Sequence, residues 1–280
     1  MRLPLLSSAA SAAALFALTL PAAAVVGGSV VRNPHGVRQS VVRIESSRGE
    51  LCSGTLIAPQ LVLTAAHCVL QRAAYRVVAV DGAFRQRAVM ATAAALHPGF
   101  VPGTTPRTQP GVDLALLRLS QPLGGDFVPL DPRAATAVGS GQPVELAGFG
   151  ATEEASTRTA RVLRKTDLVA LGTLQVANRV LVVADQRRLA ATSGAGACRG
   201  DSGGPILQGG RLVGVVSWSS GALRSRVRTA CGGFTAVTPV AEHTSWIAAR
   251  ASDLQRYAPP APSYYQQAPA AAYSGSWVGR

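Results

Sequence analysis

The sequence predicts a mainly β domain, a barrel or sandwich of many short strands. Three observations carry this. Apolar stretches are short and stop at Gly or Pro, of which there are 29 and 18 in 280 residues. Hydrophobic residues make up 48% of the chain, enough to fill a real core. Long helix-forming patterns are scarce.

The elements follow in order. Met1-Arg2 and the apolar run Leu3–Leu20 lead into Ala22-Ala23-Ala24, the small-residue pattern of a signal-peptidase site, so residues 1–24 read as a signal peptide and the chain as exported. A membrane contact is then transient, through that signal alone. The strand-like runs are "SVVRIES" (40–46), "GTLIAPQLVLTAAHCV" (54–69), "YRVVAV" (75–80) and "DLALLRL" (113–119). After a loose Pro/Gly-rich stretch at 120–142 come "QPVELAGFG" (142–150), "RVLVVAD" (179–185), "RLVGVVSW" (211–218) and "GFTAVTPV" (233–240). That loose stretch joins two halves. One helix is expected within 239–257, with Trp246, Ile247, Ala251 and Leu254 near one face and Thr244 or Ser245 as cap. Residues 258–280 are Pro/Ala/Tyr-rich and read as a disordered tail.

The net charge is +13, and Lys165 is the sole lysine. The arginines look scattered along the chain, aromatic residues make up only 5%, and no nucleic-acid-binding module is present, so nucleic acid is not an expected partner. Arg224, Arg226 and Arg228 are the exception, spaced two apart in "SSGALRSRVRTAC" (219–231). If extended they share a side, and at a cleft rim they would favour acidic substrate residues. A solvated loop is the plainer reading.

Four cysteines, Cys52, Cys68, Cys198 and Cys231, suit two disulfides in an exported protein. Three pairings are open. The local one, Cys52–Cys68 with Cys198–Cys231, is the economical choice, each loop contributing about 3 kcal/mol in the chain-entropy picture. Cys52, His67 and Cys68 lack the paired spacing of a zinc site, and no metal or cofactor is expected.

The chemistry-bearing candidates are a serine, a histidine and an aspartate. A serine hydroxyl needs a base to take its proton, and the base needs a third group to orient it. Ser202 sits in "CRGDSGGP", His67 in "LTAAHC" and Asp113 at the start of a hydrophobic strand, where a buried carboxylate needs a partner. Singly, each has a bland explanation as a turn, packing or cap residue. Together, within these words, coincidence is a poor account.

These words resemble those of the chymotrypsin/trypsin-like serine proteases, and the chain reads as a secreted, bacterial-type member, periplasmic or extracellular. "VSWSSG" resembles the family's cleft-lining strand, "TSWI" its terminal helix and "VVGG" (25–28) its mature start. The resemblance covers residues 25–257 and implies an all-β fold of two six-stranded antiparallel barrels with a C-terminal helix. It implies a serine endopeptidase acting on proteins or peptides as a monomer. Ser202 would be the nucleophile, His67 the base, Asp113 its orienting acid, and the N–H groups of Gly200 and Ser202 the oxyanion hole. Asp201 would pair with the free amine of Val25. Gly196, Ala197, Ser217, Trp218, Ser219 and Gly232 would form the specificity pocket. None is acidic, which implies a neutral or apolar residue before the scissile bond. The rival reading is a catalytically silent binding protein on the same fold, though such relatives usually lack a triad residue, and here all three are present.

Overall fold

The computed structural model describes residues 25–102, 111–154, 162–175, 178–226 and 229–256. The short strand β1 (Ser29–Val30) and one-turn helix α1 (Val37–Ser40) precede the first barrel. Its strands are β2 (Val41–Ser46), β3 (Leu51–Ala58), β4 (Leu61–Thr64), β5 (Tyr75–Val80), β6 (Gln86–Leu96) and β7 (Ala115–Leu119), closed in the order β2-β3-β4-β7-β6-β5. All neighbours are antiparallel. Closure removes the open edges that would otherwise invite pairing with other chains.

The second barrel uses β8 (Pro143–Gly148), β9 (Arg164–Gln175), β10 (Arg179–Ala184), β11 (Pro205–Gln208), β12 (Arg211–Ser219) and β13 (Phe234–Pro239). Their order is β9-β10-β13-β12-β11-β8, and β8 pairs back to β9. Helix α2 (Thr244–Arg256) is the last described element and follows a 3-10 turn at Ala241–His243. Two six-stranded antiparallel barrels and a C-terminal helix are thus the architecture, as the sequence words implied.

Local sequence explains most of these elements. The runs at 40–46, 75–80 and 179–185 are Val-rich and become β2, β5 and β10, because β-branched side chains suit the pleated surface. Strand β7 is apolar on both faces. Leu116, Leu117 and Leu119 are all fully buried, since one face fills the barrel and the other lies under α2. Strand β6 has no such signature. It is alanine-rich, a poor strand composition, and is held extended by pairing on both sides with β5 and β7. Strand β9 is long, carries four polar or charged residues in its first four positions reading "RKTD", and contains Gly172 at φ +125°.

The connection 120–142 touches both barrels. Leu130 N donates to Leu56 O in the first, and Thr136 N donates to Leu212 O in the second. Both chain ends cross over. β1 pairs with β9 of the second barrel before the first barrel begins. Helix α2 leaves the second barrel and buries Ile247 and Leu254 in a core shared with Leu116, Leu117, Leu207, Leu212 and Val215. Among the described residues, no helix is long and apolar enough to cross a membrane. The expected signal and tail lie outside the described residues.

Candidate active site

His67 lies on a 3-10 turn, Ala66–Val69, directly after β4. Its neighbour Cys68 is bonded to Cys52 of β3, which fixes the turn to the sheet. Asp113 precedes β7 and is buried to 1% exposure. The imidazole Nδ1 lies 2.7 Å from Asp113 Oδ2, and the His67 backbone N–H donates to Oδ1 at 3.0 Å. Ser217 Oγ donates to Oδ2 at 2.6 Å from the other barrel. Burial works against a charge on Asp113, but the His67 charge, the hydrogen bonds from the His67 ring and Ser217, and that from the His67 backbone outweigh it. Its carboxyl is held below the ordinary range. An ionised carboxylate only accepts, so the His67 Nδ1–H is the donor to Asp113 and Nε2 is the ring nitrogen left free of that contact.

Ser202 stands on a tight turn between two left-handed glycines, Gly200 at φ +95° and Gly203 at φ +81°. Asp201 N donates to Cys198 O at 3.1 Å and Gly204 N to Asp201 O at 2.9 Å. The turn is pressed against the first barrel. A Cβ on Gly203 would lie 2.1 Å from Thr64 Oγ1 and 2.3 Å from Ser53 O. Ser53 clasps the two halves. Its N–H donates to Ser202 O at 2.8 Å, its hydroxyl donates to Gly200 O at 2.8 Å, and it accepts from Phe149 N at 3.0 Å. The N–H groups of Gly200 and Ser202 have no acceptor among the described residues. These two donors lie two residues apart on the turn that carries the Ser202 hydroxyl.

Asp201 points the other way, into the second barrel, and is fully buried. Its carboxylate accepts from Gly150 N at 2.8 Å and Cys198 N at 2.9 Å. Burial pushes its carboxyl up to about 7, against the pull of those two donors, and no cation offsets it among the described residues. Gly148 and Gly150 make the room: a Cβ on either would meet the carboxylate at 2.2 or 2.4 Å. Val25 is fully buried in the same barrel's core with Ala197. Val26 bridges to Gly196, whose N–H donates to Val26 O at 3.1 Å.

Gly196 and Ala197 lie against Gly232 and Thr235, and the strand of Thr235 pairs with Trp218 and Ser219. A Cβ at Gly196 would meet Gly233 O at 3.6 Å and Gly232 Cα at 3.9 Å, so these segments face each other closely. Trp218 meets the Phe234 ring edge-on at 5.4 Å. Ser219 Oγ donates to Ala230 O at 2.5 Å, and Ala230 N donates to Glu154 Oε2 at 2.7 Å. Glu154 Oε1 also takes Arg199 Nη2 at 3.1 Å. Disulfide Cys198–Cys231 joins the serine turn to this rim. Ser217, grouped with the pocket on sequence, has its hydroxyl committed to Asp113 instead.

The chain and its fold resemble known proteins. Residues 25–247 match the family described as Trypsin. Human granzyme M is 34% identical over 243 residues, covering 80% of this chain and 87% of its own. Trypsin alpha-4 of Lucilia cuprina is 32% identical over 190 residues, covering 64% and 72%. Among solved structures, human heparin binding protein superimposes with a TM-score of 0.64 at 24% identity, over 85% of this chain and 99% of that one.

The chain belongs to the trypsin family. It is a serine endopeptidase, a hydrolase of a family that acts on protein or peptide substrates. These relatives are animal proteins, and the bacterial-type reading is not borne out by them.

Several parts of this trypsin-family site were not singled out on sequence: the Ser53 clasp, the glycines at 148 and 150, and Glu154. The word "GFG" at 148–150 was a usable signal, because two glycines flanking one aromatic mark a close approach. Ser53 and Glu154 had none, since their partners are distant in sequence. Cys52, His67 and Cys68 offer ligand atoms within 4.8 Å of one another, but the two sulfurs are spent on each other in a disulfide. The three-arginine loop does not run extended where described. Residues 223–224 form a turn, and Ser225 N donates to Ala222 O at 3.1 Å. Arg228 lies outside the described residues.

Proposed function

We propose that this endopeptidase is exported and works through Ser202, His67 and Asp113. The observation that carries the reading is the 2.7 Å contact of His67 Nδ1 with a buried Asp113 that also accepts from Ser217. Ser202 Oγ attacks the scissile carbonyl and passes its proton to His67 Nε2. Asp113 stabilises the imidazolium that forms. The carbonyl oxygen becomes negative and is met by the N–H groups of Gly200 and Ser202, each such donor lowering the barrier by about 3 kcal/mol. The imidazolium then protonates the leaving amine. Water, deprotonated by His67, releases the acyl group from Ser202 and restores the enzyme.

The pocket reading is a neutral or apolar residue before the cut bond. Gly196, Ala197, Ser219 and Gly232 carry no charge, and an arginine or lysine inside would find no carboxylate from them. The activation reading is cleavage after Ala24 and pairing of the freed Val25 amine with Asp201. Two observations support it. Asp201 is a buried carboxylate without a cation among the described residues. Val25 is fully buried in the second barrel's core, and Val26 ties the segment to Gly196 beside it.

The test is a cleavage profile on a diverse peptide mixture, using protein that begins at Val25 with a Ser202→Ala sample beside it. Cuts after neutral residues that vanish in the variant fit the reading. Cuts after Arg exceeding those after Leu or Phe would overturn the pocket assignment. The likeness to human heparin binding protein favours a second reading, a binding role on the same fold. Failure of Ser202 to react with an organophosphonate would move the assignment there.

A further inference from the structure

Arginines that are far apart in sequence meet beside the pocket. Asp185 organises the loop that follows β10. Its Oδ1 accepts from Arg187 N at 2.8 Å and Arg188 N at 3.1 Å, and its Oδ2 accepts from Ala195 N at 2.8 Å. A second loop, after β12, is drawn closed by Gly221 N donating to Thr229 O at 2.8 Å. The two loops are stitched together by Leu223 N to Ala190 O at 2.8 Å and Arg224 N to Ala191 O at 3.1 Å. Ala191 N in turn donates to Arg188 O at 2.9 Å, so Arg188 and Arg224 flank one alanine.

This platform is basic and apolar at once. Arg187, Arg188, Arg224 and Arg226 are all exposed, and none has an ion-pair partner within 4.0 Å among the described residues. Asp185, which feels the Arg188 charge, is taken up by three backbone donors, and Glu154 beyond Thr229 is taken up by Ala230 N and Arg199. Leu189 and Leu223 stand beside them at 53% and 70% exposure. Leu189 and Ala190 are consecutive left-handed residues, at φ 48° and 61°, a conformation that non-glycine residues adopt only when the surroundings impose it. The platform abuts the pocket: a Cβ on Gly194 would lie 2.7 Å from the Arg188 stem, and Gly194 N donates to Gly232 O at 2.7 Å.

We infer that the paired loops 185–191 and 221–226 are a docking surface for an acidic protein segment that also carries exposed apolar side chains. The four arginines match its charge, and the two leucines distinguish it from a plain polyanion, which offers nothing to bury. The chain's own residues 257–280 contain no Asp or Glu and do not fit as the occupant. As a way of choosing substrates the surface rests on the peptidase reading; as a binding surface it does not.

The experiment separates the two. Protein beginning at Val25 with Ser202→Ala is titrated with a labelled synthetic peptide of alternating Glu and Leu, with its Glu/Ser counterpart, and with a sulfated oligosaccharide. The Glu/Leu peptide is expected to bind best. Raising salt from about 50 to about 200 mM should weaken it about tenfold, and the double change Arg187→Glu with Arg224→Glu by about tenfold or more. Loss of the leucines from the peptide should cost about fivefold. A charge-reversal effect under about twofold, equal binding of the Glu/Ser peptide, or tighter binding of the oligosaccharide each overturns the inference. The same double change in the Ser202 protein should leave hydrolysis of a short neutral peptide within about twofold, which also certifies the fold. If the unmodified protein hydrolyses nothing, the peptidase reading fails while the titration still decides the docking surface.

Discussion

The two barrels have the same strand count and order of closure, yet they treat buried charge in opposite ways. The first barrel's Asp113 is surrounded by His67, the His67 backbone and Ser217, which together hold it ionised. The second barrel's Asp201 has two backbone donors and no cation among the described residues, so burial wins and its carboxyl rises to about 7. The first carboxylate finds its partners in His67 of its own half and Ser217 of the other. The second carboxylate has only backbone donors among the described residues, and the buried Val25 lies in that half. What differs between halves of like topology is therefore how a buried acid is compensated.

The largest expected effect comes from driving the halves apart. Gly203→Ala puts a methyl 2.1 Å from Thr64 Oγ1 and 2.3 Å from Ser53 O, at φ +81°. Turnover should fall at least about a thousandfold and stability by about 3 kcal/mol, read by peptide hydrolysis and urea unfolding. Near-normal activity would mean the serine turn is not pinned as described.

Next is the charge itself. Asp201 in unprocessed protein has a folded value of about 7, above its ordinary 3.8. A carboxylate raised in this way favours the folded state most below pH 4, and that advantage drains away as pH rises to 7. Unprocessed protein should therefore lose thermal stability across that window, and Asp201→Asn should flatten the loss. Protein beginning at Val25 should show the opposite response to Asp201→Asn, with stability and activity falling at pH 7. Identical melting curves for the two forms would remove the contrast between the barrels.

Ser53→Ala tests the clasp. It strands the Phe149 N–H and removes a donor from Gly200 O, at a cost of about 2 kcal/mol and about tenfold in turnover. Glu154→Gln is gentler. It keeps an oxygen for Ala230 N but drops the Arg199 pair, so a change of about twofold, mainly in KM, is expected.

The smallest effect is at α2. His97 and His243 meet edge-on at 4.9 Å, with Trp246 at 4.8 Å from His97. Burial, and for His97 the neighbouring His243, hold both below the usual histidine value of 6.5. Their contribution is present above pH 6.5 and is lost as pH falls below it. His243→Phe should make melting less pH-sensitive between pH 5 and 7, by about 1 °C or more.

Where local chemistry decides the conformation, the sequence was readable. Val-rich runs became strands, and "TSWI" opened α2 one short 3-10 turn later than the broad 239–257 window. The words around His67, Asp113 and Ser202 carried the site because their glycines, cysteine and buried leucines are themselves the restraints. Strand β6 was invisible because alanine does not favour extension; only β5 and β7 impose it. Ser53, Glu154 and the meeting of Arg188 with Arg224 depend on pairings across distant segments, which no local pattern encodes. Arginines that look scattered along the chain were gathered by the fold.

The crossed chain ends have a consequence for biosynthesis. By residue 119 every strand of the first barrel has left the ribosome, but its core still lacks Leu207, Leu212, Val215, Ile247 and Leu254, which pack into the same cluster. Ser53 likewise has nothing to grip until Gly200 and Phe149 arrive. The first barrel's core therefore stays unfinished in the nascent chain until residues 207–254 have emerged, so its folding ends only when synthesis of the described residues nearly has.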